Sequence, residues 1–186
     1  MSGNTHTPGV QIDGDEPITD PTSLRAVVGV RTSTERLDHD SDEHCGTGTI
    51  GRSVVDVRNS NGEHLLLLND DLGIALLPDA TVDPGGDWVA AAREAAAGKT
   101  GISATLDSVL AVRAVDHRRP DESEPHLRTH RLVFRGSPAG GEIRECKEHS
   151  DAGTDDWRAG WFETLPDGVS PAPEGGPRDD LQLVMD

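Results

Sequence analysis

Tyrosine is absent, and only five aromatic side chains occur in 186 residues: Trp88, Phe134, Trp157, Trp161 and Phe162. Lysine is nearly absent as well, present only at Lys99 and Lys147, so 15 of the 17 basic residues are Arg. Against them stand 34 acidic residues, 22 Asp and 12 Glu, and the formal net charge is −17. A chain so poor in positive charge has no polybasic footprint. That argues against nucleic-acid binding or anionic-membrane docking through a basic face. No apolar run approaches the ~20 residues needed to span a bilayer. Residues 1–20 hold no apolar core of the kind a signal peptide requires, so the expected location is cytoplasmic. Cysteine is scarce too. Cys45 and Cys146 have no CxxC spacing and no partnered His pattern, which argues against a zinc site. They read as free thiols in a reducing compartment; whether they pair depends on a Cα separation that sequence does not contain.

Two causes compete for the acidity. High net charge with few aromatics is the signature of disorder. It is equally that of a folded protein adapted to concentrated salt, where the Debye length falls to ~3 Å at 1 M and self-repulsion is screened. The shortage of Lys favours the halophilic cause, because a short Asp exposes less alkyl surface than a long Lys stem. Clustered apolar segments also require a core. On this reading the charge identifies no particular ligand.

The length suits one domain with ragged ends. Residues 1–22 are polar and punctuated by Pro and Gly and read as a flexible N-terminal segment. Residues 170–186 begin with a run rich in Pro, Gly and Asp and read as an unstructured tail. The folded domain is expected over 23–169. Within it, 24–31 reads as a first strand and 35–44 as an acidic loop. Residues 47–58 read as a strand ending in the turn signal Asn59-Ser-Asn-Gly62, with 63–69 as its hairpin return. The four consecutive Leu residues there predict burial on both faces. A short strand over 73–78 and a loop over 79–86 lead into a helix over 88–97, with Asp87 as N-cap and Gly98 as terminator. Residues 102–115 and 127–135 read as strands joined by a polar loop, and Trp161-Phe162 falls in a last strand or turn. This order predicts an α+β, mixed-sheet fold rather than repeating βαβ units.

From about Gly48 to Val169 the sequence resembles the Nudix (MutT-like) hydrolase superfamily. Leu77-Pro78 through Pro84-Gly85 matches the approach to the signature helix, Thr100-Gly101-Ile102 its close, and Trp161-Phe-Glu-Thr-Leu-Pro-Asp-Gly168 the family's ending. The resemblance implies a mixed β-sheet packed with the loop–helix of the motif. It also implies hydrolysis of a nucleoside diphosphate linked to another moiety, with Mg²⁺ or Mn²⁺ as cofactor. The family box, G-x5-E-x7-R-E-U-x-E-E-x-G-U with U aliphatic, is degenerate here. Aligned without gaps, its first Glu falls on Gly86, the Arg-Glu pair on Glu94 and Ala95, and the Glu-Glu pair on Gly98 and Lys99. A one-residue slip recovers Arg93-Glu94, but the next pair then becomes Ala97-Gly98. Neither register supplies the carboxylates that would hold a divalent cation.

Two functions follow, from different classes. The first is a Nudix-like domain without pyrophosphatase activity, acting as a binding or regulatory module, with no tightly bound cofactor. The second is a divalent-cation-dependent hydrolase whose ligands come from outside the box. Asp79, Asp83 and Glu94 are then the weak metal candidates, with Glu142 beside them, and Glu94 is the single acid on the helix that could be catalytic. Against the second, loop carboxylates in an acidic protein are ordinarily surface groups, and Glu94 is ordinarily a solvated helix residue. Arg118, Arg119, Arg128 and Arg131, with His117, His126 and His130, form the densest basic set and could cradle a nucleotide or phosphorylated small molecule. Asp116, Asp121, Glu122 and Glu124 could equally balance it. Alternation along a strand would send Arg128 and Arg131 to opposite faces. Trp88, Trp157 and Trp161 read as packing residues, any one of which could stack on a base. His44 and Cys45 lack the third orienting group of a nucleophile pair.

Overall fold

The structure, a computed structural model, describes residues 9–41, 48–144, 157–172 and 175–185. Cys45, Cys146 and His44 lie outside the described residues. The architecture of the described residues is α+β, with two sheets and two α-helices among them. The larger sheet holds β1 (Val10–Gln11), β2 (Arg31–Asp38), β3 (Gly51–Val57), β6 (Asp79–Val82), β7 (Ile102–Arg118) and β8 (Leu127–Gly141). Its order is β1-β7-β8-β3-β6, with β2 beside β1 on the same edge of β7. The smaller sheet runs β10 (Ser170–Pro171), β5 (Ile74–Leu76), β4 (His64–Asn69), β9 (Trp157–Phe162).

The long β7–β8 hairpin is the backbone of the fold. Its antiparallel ladder runs from Ile102↔Gly141 to His117↔Leu127. On the other side of β8, β3 joins in parallel, from Gly51↔His130 to Val57↔Gly136. Residues alternate between faces along these strands, and the core divides accordingly. Val55, Val57, Leu132 and Phe134 pack with Trp88, Val89 and Ala92 of the helix α1 (Trp88–Thr100). Val54, Val133 and Ala111 pack on the other face with Leu66, Leu68 and Ala75, and with Leu181 and Val184 of α2 (Gly176–Met185).

Helix α1 begins where the sequence predicts. The Asp87 carboxylate accepts from the Val89 amide at 2.9 Å, a cap of about 1 kcal/mol. It ends later than expected. Gly98 lies inside the last turn and Gly101, at φ 86°, is the left-handed cap. Its backbone N–H donates to Ala97 O at 3.0 Å. A Cβ at Gly101 would collide with Glu142 O, so glycine is required twice over.

Several expectations are corrected. Residues 24–31 are not a strand: Asp20 accepts from Thr22 N, Pro21 opens a 3-10 turn over Pro21–Ala26, and the strand starts at Arg31. Part of the acidic 35–44 stretch is therefore β2. The Asn59–Gly62 turn forms, with the Asn59 carboxamide accepting from the Asn61 and Glu63 amides. Its two strands do not remain paired, however; after the single bridge Arg58↔His64 they diverge into different sheets. Residues 79–82 are strand β6, not loop, pairing antiparallel with β3. The C-terminal run is not an unstructured tail but β10 followed by α2. Within the segment read as flexible, residues 9–22 lie along the sheet. Val10 pairs with Val109, and Ile18 both donates its amide to Asp87 and accepts from Trp88 N.

Candidate functional site

Three arginines line up across the larger sheet. Arg52 of β3 is in register with Arg131 of β8, and Arg131 with Arg113 of β7. All three side chains share the face of Val54, Val133 and Ala111. Like charges directly opposite on neighbouring strands repel, so the row needs counter-ions. The fold supplies two. Asp180 of α2 bridges the inner pair: Arg113 Nη1 donates to Oδ1 at 2.8 Å, while Arg131 Nε and Nη2 donate to Oδ2 at 2.8 and 2.5 Å. Gly176 makes this approach possible, because a Cβ there would lie 2.6 Å from Arg131 Cδ.

Asp79 is the counter-ion of the outer pair. Its residue faces Val54 in the β3–β6 register, two positions from the Thr81↔Arg52 pair and on the same side. Lys99 Nζ, from the last turn of α1, reaches Asp79 Oδ1 at 2.8 Å. Arg52 Nη1 reaches Oδ2 at 3.2 Å and Arg131 Nη2 lies 3.9 Å away. Burial pushes the Asp79 carboxyl upward, but Lys99, Arg52 and Arg131 together outweigh it and hold the group below the ordinary carboxylate range. Arg131 is moved up instead: Asp180 and Asp79 more than offset its desolvation. Glu35 of β2 completes the cluster. Burial raises its carboxyl above the usual value, with Arg113 opposing and Asp179 adding to the rise.

The residues expected to hold a metal are not assembled. Asp79 is committed to cations, while Asp83 and Glu94 are exposed. Among the described residues no group of three or more His, Cys, Asp or Glu side chains converges. Glu142 is exposed at the end of β8. Arg93, the arginine of the slipped register, instead holds the N-terminal segment, contacting Gly14 O and pairing with Asp15 at 2.7 Å. Ala95 is in the core and Gly98 is exposed.

Nor are the four expected arginines together. Arg128 forks onto Asp116 through Nε at 2.5 Å and Nη2 at 2.9 Å, and Arg118 pairs with Asp38 at 2.7 Å. Both point away from the face of Arg131, as strand alternation requires. Arg119 follows the end of β7, where its carbonyl accepts from the Glu122 amide. His117 is buried, stacks on His39 with ring centroids 5.0 Å apart, and shares a hydrogen bond with Thr129. The amide of His126 donates to His117 O and closes the hairpin. His130 lies on the opposite face from Arg131, where burial lowers its basicity. Trp88 is fully buried and Trp161 packs against the same core.

Arg52, Arg113 and Asp180 escaped the sequence reading. A signal existed: Arg52 and Arg113 interrupt strands that are otherwise apolar, Gly-Arg-Ser-Val-Val and Ala-Val-Arg-Ala-Val. A charge at such a position must find a partner or a site.

No family model matches the chain, and no curated protein matches it. Among solved structures it is similar to a UDP-X diphosphatase at 16% identity, with a TM-score of 0.41. The likeness covers 70% of this chain and 60% of that one, so the chain spans less than two thirds of that protein's length.

Proposed function

We propose that this is a Nudix-like domain that binds an anionic small molecule, a nucleotide or other phosphorylated compound, without hydrolysing it. The reading rests on the sequence resemblance and on one observation, the pairing of Asp79 with Lys99 and Arg52. The helix position that aligns with a family glutamate carries an ammonium, and that ammonium already neutralises the nearest buried carboxylate. A divalent ion placed there would meet Lys99 and Arg52 before it met a free oxygen ligand. Two unit charges ~4 Å apart repel by about 4 kcal/mol at an effective dielectric of ~20, and a divalent ion by roughly twice that. Cation-dependent hydrolysis needs the metal to bridge the pyrophosphate and activate water. Among the described residues no ligand set for that role converges, whereas metal-free recognition by guanidinium and ammonium groups is chemically available.

The test is turnover of nucleoside-diphosphate-linked compounds with Mg²⁺ or Mn²⁺ in molar KCl, alongside calorimetric titration of each cation. The expected result is neither phosphate-bond cleavage nor saturable cation binding. Cation-dependent cleavage that is lost on Asp79→Asn would overturn the reading.

A further inference from the structure

We propose that Arg52, Lys99 and Arg131 form a metal-free site for a phosphate-class polyanion, entered beside Asp79 and closed at its inner end by Asp180. The inference gives the binding reading above its site. In a chain of net charge −17, Arg52, Arg131 and Arg113 share one face of the larger sheet, and Lys99 of α1 joins them through Asp79 on the edge strand β6. Their paired carboxylates are two, Asp79 and Asp180. Glu35 also acts on Arg113 and Arg131, with Asp179 close to it. In direct ion pairs, however, the four cations outnumber the two carboxylates that hold them.

The excess is open at one end only. Arg52 is 38% exposed and Lys99 20%, while Arg131 is 10% and Asp180 1%. Donors are spare where the cluster is open. Lys99 carries three N–H donors and Arg52 five. Each has one described bond, both to Asp79. Arg131 spends Nε and Nη2 on Asp180, leaving Nη1. At the inner end the same row already holds an oxyanion, since the Asp180 carboxylate sits across Arg113 and Arg131. A phosphate group offers more acceptor oxygens than that carboxylate and more charge, and suits planar forked donors equally well. Neighbouring strands are spaced by ~4.8 Å, so Arg52 and Arg131 present their donors side by side.

The experiment is calorimetric titration of sodium pyrophosphate in EDTA, at the lowest KCl concentration that retains the native circular dichroism spectrum. Wild type is compared with Arg52→Gln, Lys99→Met and Arg128→Gln, each checked for an unchanged spectrum. Saturable binding is expected for wild type, weakened by about tenfold in each of the first two variants. The Arg128→Gln control, on the opposite face and paired with Asp116, should bind as wild type does. Absence of binding in EDTA, or wild-type affinity retained in both Arg52→Gln and Lys99→Met, would overturn the site. Binding in EDTA together with cleavage in Mg²⁺ would support the site while removing the non-hydrolytic reading, so the two failures are distinguishable.

Discussion

At the scale of single residues, Asp56 shows how much one buried carboxylate can organise. It is fully buried on β3; Oδ1 accepts from His64 Nδ1 at 2.6 Å, and Oδ2 from Arg135 Nε and Nη2 at 3.2 and 2.9 Å. His64 begins β4 in the smaller sheet and Arg135 lies on β8 in the larger one, so the carboxylate joins the sheets just where β3 and β4 part. Removing one partner from a buried charge pair leaves the other uncompensated, at a cost of about 3 kcal/mol or more. Asp56→Ala is therefore expected to lower the unfolding free energy by that amount, read as a lower urea midpoint with little change in slope. An unchanged midpoint would mean that solvent reaches the pair. The place of Asp56 between Val55 and Val57 is the same signal that Arg52 and Arg113 carry, but Ser-Val-Val-Asp-Val-Arg does not say which partners answer it. Its partners lie 8 and 79 positions away.

At the scale of elements, α1 and α2 contrast. Helix α1 carried its own signals, an Asp cap, an Ala-rich body and a closing glycine, and local propensity was enough to place it. Helix α2 follows a Pro- and Gly-rich stretch that reads as a tail. Pro177 near its start suits a first turn, and Leu181 and Val184 lie one turn apart on the buried side. Ten residues are too few to be stable alone, so the helix depends on docking. The docking rests partly on Gly176, whose position leaves no room for a Cβ above Arg131. Gly176→Val should lift the start of α2 and cost ~1–3 kcal/mol through overpacking. The expected signature is faster amide exchange confined to α2 and β10. Exchange that stays slow there would show that Arg131 can yield. Strand β6 was missed for a related reason. Asp-Ala-Thr-Val is too short and too polar to announce a strand, and only the free edge of β3 recruits it.

At the scale of the molecule, the charge decides how the fold responds to its medium. With net charge −17, self-repulsion opposes compaction, and added salt screens it. The melting temperature should rise from dilute buffer to molar KCl; a rise of about 5 °C corresponds to roughly 2 kcal/mol for a chain of this size. A flat or falling profile would count against adaptation to salt. Many surface ion pairs, such as Arg158 with Asp70, will be screened by the same salt. They contribute ~0–1 kcal/mol each, so the long-range repulsion should dominate the outcome.

The sequence by itself determined what depends on neighbours along the chain. The Asp87 cap, the span of α1 to within one turn, the Asn59–Gly62 turn and the buried Leu strand were all legible there. Tertiary structure alone decided what depends on register between distant strands. It set Arg52, Arg131 and Arg113 in one row, turned Arg118 and Arg128 to the other face, and brought Asp180 and Asp79 into contact with them. It also sent β3 and β4 into separate sheets after a turn that would ordinarily hold a hairpin. The physical reason is the two-residue period of a strand. A shift of a single position exchanges its faces, and the parallel pairing of β3 with β8 is chosen by the packing of both cores rather than by any local signal.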